Sequence, residues 1–273
     1  MLDAGRFYLE RQNAGMRGIG KMAVSPGLPE RALVELAIRS MGLRDVAKFN
    51  PDDKIIEYLV RDRDVDLTGM TCTGFADELS TDSPAPGGGS VAAYVGALAA
   101  ALAAMVANLT VRSRDCIGSW DEMRSIAPRA QQLKEELLRA VDDDTRAFNS
   151  MMEAMRSDGD VQSAIAGAAA VPMRVLSLCP EIATLAARLV ETGLPASLSD
   201  AGVSAAAAIT AARGACFNVL INVAQLEDRA GAAGTAEAAE GLLKTTEEVA
   251  GRAVETVAAR LREELSRQPG SGS

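Results

Sequence analysis

Apolar residues recur every three to four positions through most of this 273-residue chain, the period of helices rather than strands. Long helical patterns are predicted over 90–113, 119–156, 161–192, 199–226 and 235–267, with a shorter one over 75–81. No stretch alternates at period two for long enough to make a strand, so the expected fold is all-α, a bundle of long helices. Pro128, Pro172 and Pro180 fall inside these patterns and predict kinks or breaks. The last helix interleaves Leu242, Leu243, Val249, Val254, Val257 and Leu261 with Glu and Arg, the pattern of a helix on the bundle surface. Two others differ. Residues 91–107 carry no charge, and 199–226 holds a single basic residue, Arg213, after Ser199 and Asp200. Four or five helices cannot bury two that are apolar all round, so a homo-oligomer is expected.

Residues 1–61 read as three short helices, LDAGRFYLERQ, LPERALVELAIRSMGL and NPDDKIIEYLV. Asn50 would cap the third, with Pro51 at its first position and Asp52 and Asp53 favouring its N-terminus. Three such pieces bury little surface alone, so the segment reads as an extension or the tail of something larger. A polar linker follows over 62–73, the main helical domain spans 74–267, and 268–273 is a frayed tail.

Composition narrows the chemistry. Aromatic residues are 3% of the chain and hydrophobic residues 48%, so Ala and Gly must form the core by close approach of helices. The formal charge is −9, and no basic patch with interleaved aromatics suggests a nucleic-acid partner. There is no histidine, which excludes the Ser-His-Asp and Cys-His nucleophile systems and removes the commonest zinc ligand. Cys72, Cys116, Cys179 and Cys216 stand far apart and read as buried thiols; no metal site is expected. Asp3, Arg6, Glu10 and Arg11 interrupt any signal segment. Residues 91–107 are short and Ala-rich for a bilayer span. A cytoplasmic protein with no membrane partner is the expectation.

Four stretches carry candidate chemistry. PGGGS, 86–90, sets Gly87, Gly88 and Gly89 before a helix that Ser90 would cap, where free N–H groups favour an anion or a carbonyl oxygen. It lacks the Lys of a phosphate loop. VDDDTRAF, 141–148, places three aspartates within a helix, where Asp is unfavourable. Leu137, Val141, Thr145, Phe148 and Met152 mark the inward stripe, so Asp142 and Asp144 flank it while Asp143 points to solvent. The plain alternative is a solvated run with an Asp142–Arg146 pair. Ser199 and Asp200 open the next apolar helix as a cap pair, and Asn218 and Asn222 share one of its buried faces. Asp200 lies roughly 27 Å from Asn218 along that helix, so the two meet at one reacting atom only through different subunits or a long ligand.

Taken in order, FADELSTDSPAPGGGSVAAYVGALAAALAAMVANLT, VDDDTRAF, SDAGV and GACFNVLIN resemble the cyclodeaminase domain of formimidoyltransferase-cyclodeaminases and the related methenyltetrahydrofolate cyclohydrolases, over about residues 74–265. Residues 1–61 resemble the closing part of the formimidoyltransferase domain. The resemblance implies a helical, oligomeric enzyme, a dimer or ring of dimers. It would convert 5-formimidoyltetrahydrofolate to 5,10-methenyltetrahydrofolate and ammonia in histidine breakdown and one-carbon metabolism, with no cofactor beyond the folate substrate. It makes Asp144, Asp142 and Asp200 the candidate acid/base groups. Gly87, Gly88, Gly89 and Ser90 would shape the folate pocket, Asn218 and Asn222 order the pterin or knit helices, and Arg112 and Arg114 meet an acidic glutamate tail. Transferase activity is not expected, while an upstream transferase domain remains a candidate partner. Two alternatives stand beside this reading, a cyclohydrolase of the same fold and an inactive helical scaffold.

Overall fold

Alanine and glycine set the spacing of the bundle. In the computed structural model, residues 1–18, 27–56, 67–157 and 159–267 are described, and every regular element among them is helical. An N-terminal group comprises α1 (Leu2–Gly18), α2 (Glu30–Ser40), α3 (Leu43–Val46) and α4 (Pro51–Lys54). After α5 (Cys72–Leu79) comes the bundle: α6 (Gly88–Thr110), α7 (Trp120–Arg156), α8 (Val161–Thr192), α9 (Leu198–Val223) and α10 (Arg229–Arg267). Helix α6 packs on α7 and α9, α8 closes the ring between those two, and α10 covers α8 and α9.

Helices α6 and α9 run antiparallel at close range. A Cβ on Gly214 would stand 3.0 Å from the Ala92 Cβ, and one on Gly96 would stand 3.4 Å from the Ala211 Cβ. The Ser204 hydroxyl donates to the Ala99 carbonyl at 2.8 Å. By length and composition α6, α8 and the Pro195–Val223 segment could each cross a bilayer. In α6 that apolarity serves the bundle, which buries 61% of the helix's most apolar window.

Several expectations are corrected. Helices α7 and α8 run unbroken through Pro128, Pro172 and Pro180; packing along helices of 37 and 32 residues outweighs the lost bonds. Helix α6 begins inside the glycine run, with Gly87 at the cap, so Ser90 is a buried first-turn residue rather than the cap. Helix α9 begins at Leu198 after Ser197, which leaves Ser199 and Asp200 in its first turn. The described part of the third expected N-terminal helix is a turn, Pro51–Lys54, interrupted at the extended Ile55, and Asn50 donates to Asp53 Oδ2 at 2.7 Å instead of capping a backbone N–H. Residues 57–60, the first part of the expected linker (62–66) and the 268–273 tail lie outside the described residues. Cys179 and Cys216 are buried, and burial pushes the Cys179 thiol up to about 12. Cys72 is exposed and Cys116 partly so, against the expectation of four buried thiols.

The N-terminal group has its own small core of Val34, Ile38 and Ile55. An amide clamp joins it to the bundle. The Gly27 N–H donates to Asn108 Oδ1 at 3.1 Å, and the Gly27 carbonyl accepts from Asn108 Nδ2 at 2.9 Å and Gln131 Nε2 at 3.0 Å. One apolar face stays uncovered: Leu98 and Met105 of α6 and Val203, Phe217 and Ile221 of α9 are exposed.

Candidate active site

The first turn of α6 meets the middle of α7 at Asp144. Ser90, 0% exposed, donates its hydroxyl toward the Val141 carbonyl at 2.9 Å and Asp144 Oδ2 at 3.0 Å, and it lies 3.3 Å from the Thr145 hydroxyl. The three glycines differ in what they allow. A Cβ at Gly89 would overlap the Asp144 carboxylate, whereas one at Gly88 would stand 3.3 Å from Asn218 Nδ2, and one at Gly87 would meet nothing nearer than 3.8 Å. Position 89 therefore requires glycine for close approach, not for backbone conformation. Asn218 spends its Nδ2 on the Gly214 carbonyl at 2.8 Å.

Asp144 is half-buried. Burial pushes its carboxyl above the usual carboxylate range, while the Ser90 hydroxyl and backbone N–H pull the other way without cancelling the effect. Among the described residues no charged group contributes to this balance. A half-buried carboxyl whose proton affinity is raised, with no cationic partner among the described residues, is suited to taking up and returning a proton.

The neighbouring aspartates have other tasks. Asp142, buried, accepts from the Leu67 N–H at 2.8 Å and the Thr68 hydroxyl at 3.2 Å, pinning the Leu67–Gly69 turn to α7. Asp143 does not point to solvent alone; it pairs with Arg146 at 2.8 Å and also with Arg174 of α8. The Arg146 partner is thus Asp143 rather than Asp142.

The remaining candidates lie apart from this cluster. Asn222 donates to the Ala168 carbonyl at 3.0 Å, tying α9 to α8. Because Asn218 stands beside Gly88 and Ser204 beside Ala99, Asp200 lies toward the far end of α6, roughly 27 Å along α9 from Asn218 at 1.5 Å per residue. Arg112 and Arg114 are exposed just beyond that end. Within one copy the structure gathers Gly88, Gly89, Ser90, Asp144 and Asn218, and it does not bring Asp142, Asp200, Asn222, Arg112 or Arg114 to them. Among the described residues no cluster of His, Cys, Asp and Glu is arranged to hold a metal ion.

Sequence reasoning passed over Tyr94. It lies one turn beyond Ser90, packs on Phe75 with ring centroids 5.3 Å apart, and borders a cavity of about 20 Å³ that Val141 also lines. Burial and its hydrogen bond with Cys72 raise its pKa. Its four-residue spacing from Ser90 was the available signal. A larger cavity, about 250 Å³, lies elsewhere, at the seam between the N-terminal group and α7 beside Gly27, Gln131 and Arg139.

Comparison with known proteins places this geometry. A family profile for formiminotransferase-cyclodeaminases matches residues 71–241, and the formiminotransferase domain profile matches residues 1–61. The chain belongs to the formiminotransferase-cyclodeaminase family. The mouse formimidoyltransferase-cyclodeaminase is 34% identical over 241 residues, 84% of this chain and 42% of that protein. A methenyltetrahydrofolate cyclohydrolase from Methylorubrum extorquens is 32% identical over 202 residues, 70% of this chain and 97% of that protein. The crystal structure of a formiminotetrahydrofolate cyclodeaminase from Thermotoga maritima superposes with a TM-score of 0.64 at 28% identity, covering 70% of this chain and 99% of that one. The chain thus spans less than half the length of the bifunctional family members it matches, and nearly all of the two single-domain relatives. The Gly89–Asp144 contact belongs to this shared cyclodeaminase region.

Proposed function

We propose that the chain is a formimidoyltetrahydrofolate cyclodeaminase in which Asp144 is the acid/base residue. The observation that carries this reading is the half-buried Asp144 carboxyl, raised by burial, with no cationic partner among the described residues, held against the glycine turn. The substrate enters in its amidinium form. N10 attacks the formimidoyl carbon, forming the new C–N bond and a tetrahedral centre; Asp144 takes the N10 proton and delivers it to the exocyclic nitrogen. The exocyclic C–N bond then breaks, ammonia leaves, the 5,10-methenyl cation remains, and Asp144 is again ionised. Ring closure is intramolecular, so holding N5 and N10 in the reactive conformer supplies much of the acceleration. Gly88, Gly89 and Asn218 line the approach to the carboxyl, and Ser90, being fully buried, acts through Asp144 rather than on the substrate.

The wider reading follows the same line. Residues 1–61 are the end of a transferase domain, 62–73 a linker and 74–267 the cyclodeaminase unit, acting in histidine breakdown in the cytoplasm without a cofactor. A second copy covers the exposed face of Leu98, Met105, Val203, Phe217 and Ile221. Antiparallel pairing through that face would carry the end bearing Asp200, Arg112 and Arg114 toward the partner's glycine turn, where the two arginines could meet a glutamate tail.

Incubation with 5-formimidoyltetrahydrofolate is expected to release ammonia and form the ultraviolet-absorbing methenyl product. Product formation no faster than the uncatalysed background would defeat the reading. The similarity to the Methylorubrum cyclohydrolase supports a second one, hydrolysis of the methenyl bridge; methenyltetrahydrofolate hydrolysis without formimidoyl turnover would establish it instead.

A further inference from the structure

The Ser90 hydroxyl carries one proton and faces three oxygens: the Val141 carbonyl at 2.9 Å, Asp144 Oδ2 at 3.0 Å and Thr145 Oγ1 at 3.3 Å. All of these except Asp144 are buried below a tenth of their surface, Thr145 at 6% exposure, so no competing water is needed to define the contacts. A hydroxyl donates once and accepts readily. Two arrangements satisfy every atom. With Asp144 ionised, Thr145 donates to Ser90, and Ser90 donates to Asp144. With Asp144 protonated, its O–H donates to Ser90, and Ser90 turns to the Val141 carbonyl.

We propose that Ser90 and Thr145 are positioning residues that form a reversible donor chain, whose direction follows the charge of Asp144 and keeps either protonation state hydrogen-bonded during turnover. No bond other than the Asp144 O–H forms or breaks in the exchange; the Ser90 hydroxyl rotates while Thr145 goes on donating to it. The chain offsets part of the cost of burying the carboxylate, consistent with the opposition between burial and Ser90 at this group. Nearby titratable groups are otherwise engaged. Asp142 is bound by Leu67 and Thr68, and Asp143 by Arg146 and by Arg174 of α8. On α6 and α5, Tyr94 bonds Cys72. Helix α9 presents Asn218, and its Arg213 is paired with Glu247 of α10. The hydroxyl pair is therefore the local device that tunes Asp144.

This inference rests on Asp144 being the acid/base group, and its test has a readout that does not. The Asp144 carboxyl carbon is titrated by NMR in the whole chain and compared with the pH profile of kcat/KM on 5-formimidoyltetrahydrofolate. Ser90→Ala is expected to move the Asp144 titration to higher pH, because the ionised form loses its hydroxyl donor and keeps only the backbone N–H of position 90. Thr145→Val should move it less in the same direction, and Thr145→Ser, which keeps the hydroxyl, should titrate like the wild type. The acid limb of kcat/KM should follow the NMR shifts. Unchanged titration in folded Ser90→Ala and Thr145→Val would overturn the donor chain, whether or not their rates fall. Should Ser90→Ala fail to fold, the Thr145→Val and Thr145→Ser pair decides alone. Titration shifts in a wild type that turns nothing over would support the chain and defeat the proposed activity; turnover that depends on Asp144, without the shifts, would defeat only the chain.

Discussion

The two ends of α6 are both rich in polar groups, yet they are built to opposite ends. At the C-terminal end the Thr110 hydroxyl donates to the Val106 carbonyl at 2.7 Å and accepts from the Leu194 N–H at 2.9 Å, while Asn108 spends both halves of its amide on Gly27. Those groups satisfy one another and hold chain segments in place. At the N-terminal end Asp144 stands half-buried beside Gly89 and Ser90, with no cation to fix its charge. The contrast teaches where to look for chemistry in a histidine-free protein: at the polar group whose charge the fold leaves unsettled.

The comparison breaks first at the carboxylates. Asp144→Asn should lower turnover of 5-formimidoyltetrahydrofolate by about 100-fold or more, the usual scale for losing an acid/base group, while Asp200→Asn should cost far less; steady-state kinetics on both decide it. Equal losses would show that the far end of a second copy completes the site. Next is the glycine turn. Gly89→Ala forces a methyl into the Asp144 carboxylate and should cost activity by a similar factor, whereas Gly87→Ala, at an extended backbone position with open space, should retain it.

Smaller effects concern stability. Asp142→Ala strips the buried Leu67 N–H of its acceptor and should destabilise the fold by about 1–3 kcal/mol, measured by denaturant unfolding, with turnover by the folded fraction largely kept. Asp144→Asn should do the reverse near neutral pH. Because burial raises the Asp144 carboxyl in the folded state, the folded chain binds its proton more tightly than the unfolded one. Its stabilising contribution is complete below the unfolded pKa and is lost as pH rises through the folded one. The Asn variant therefore should melt at a higher temperature than the wild type at neutral pH, and the gap should close in acid; scanning calorimetry across pH tests the sign.

Much of the architecture was legible in the chain. The 3.6-residue period found the long helices, and of the inward stripe Leu137, Val141 and Thr145 are buried as read, while Phe148 and Met152 are only partly buried. The glycine run was recognisable as a helix start, though the helix enters it two residues earlier than Ser90. The prolines misled where they predicted breaks, because local propensity counts only the lost bond, while packing on both sides of α7 and α8 holds the helix through it. Asn50 misled for a related reason: its side chain found Asp53 before a backbone N–H.

Sequence alone determined that the chain is helical, that Ala and Gly rather than large side chains space its core, and that any proton chemistry must fall to carboxylates or to another non-histidine group. Which carboxylate is poised for it was decided only by the tertiary structure. Asp142 and Asp144 differ by two positions, about 200° of helix rotation, and both flank the same buried stripe. The linker end docks on one side and brings donors that bind Asp142; the α6 N-terminus docks on the other and brings a glycine that lets it approach Asp144. Periodicity gives the direction in which a side chain leaves its own helix. It carries no information about what arrives from elsewhere to meet it, and that encounter sets the burial and hydrogen bonding from which the proton affinity of Asp144 follows.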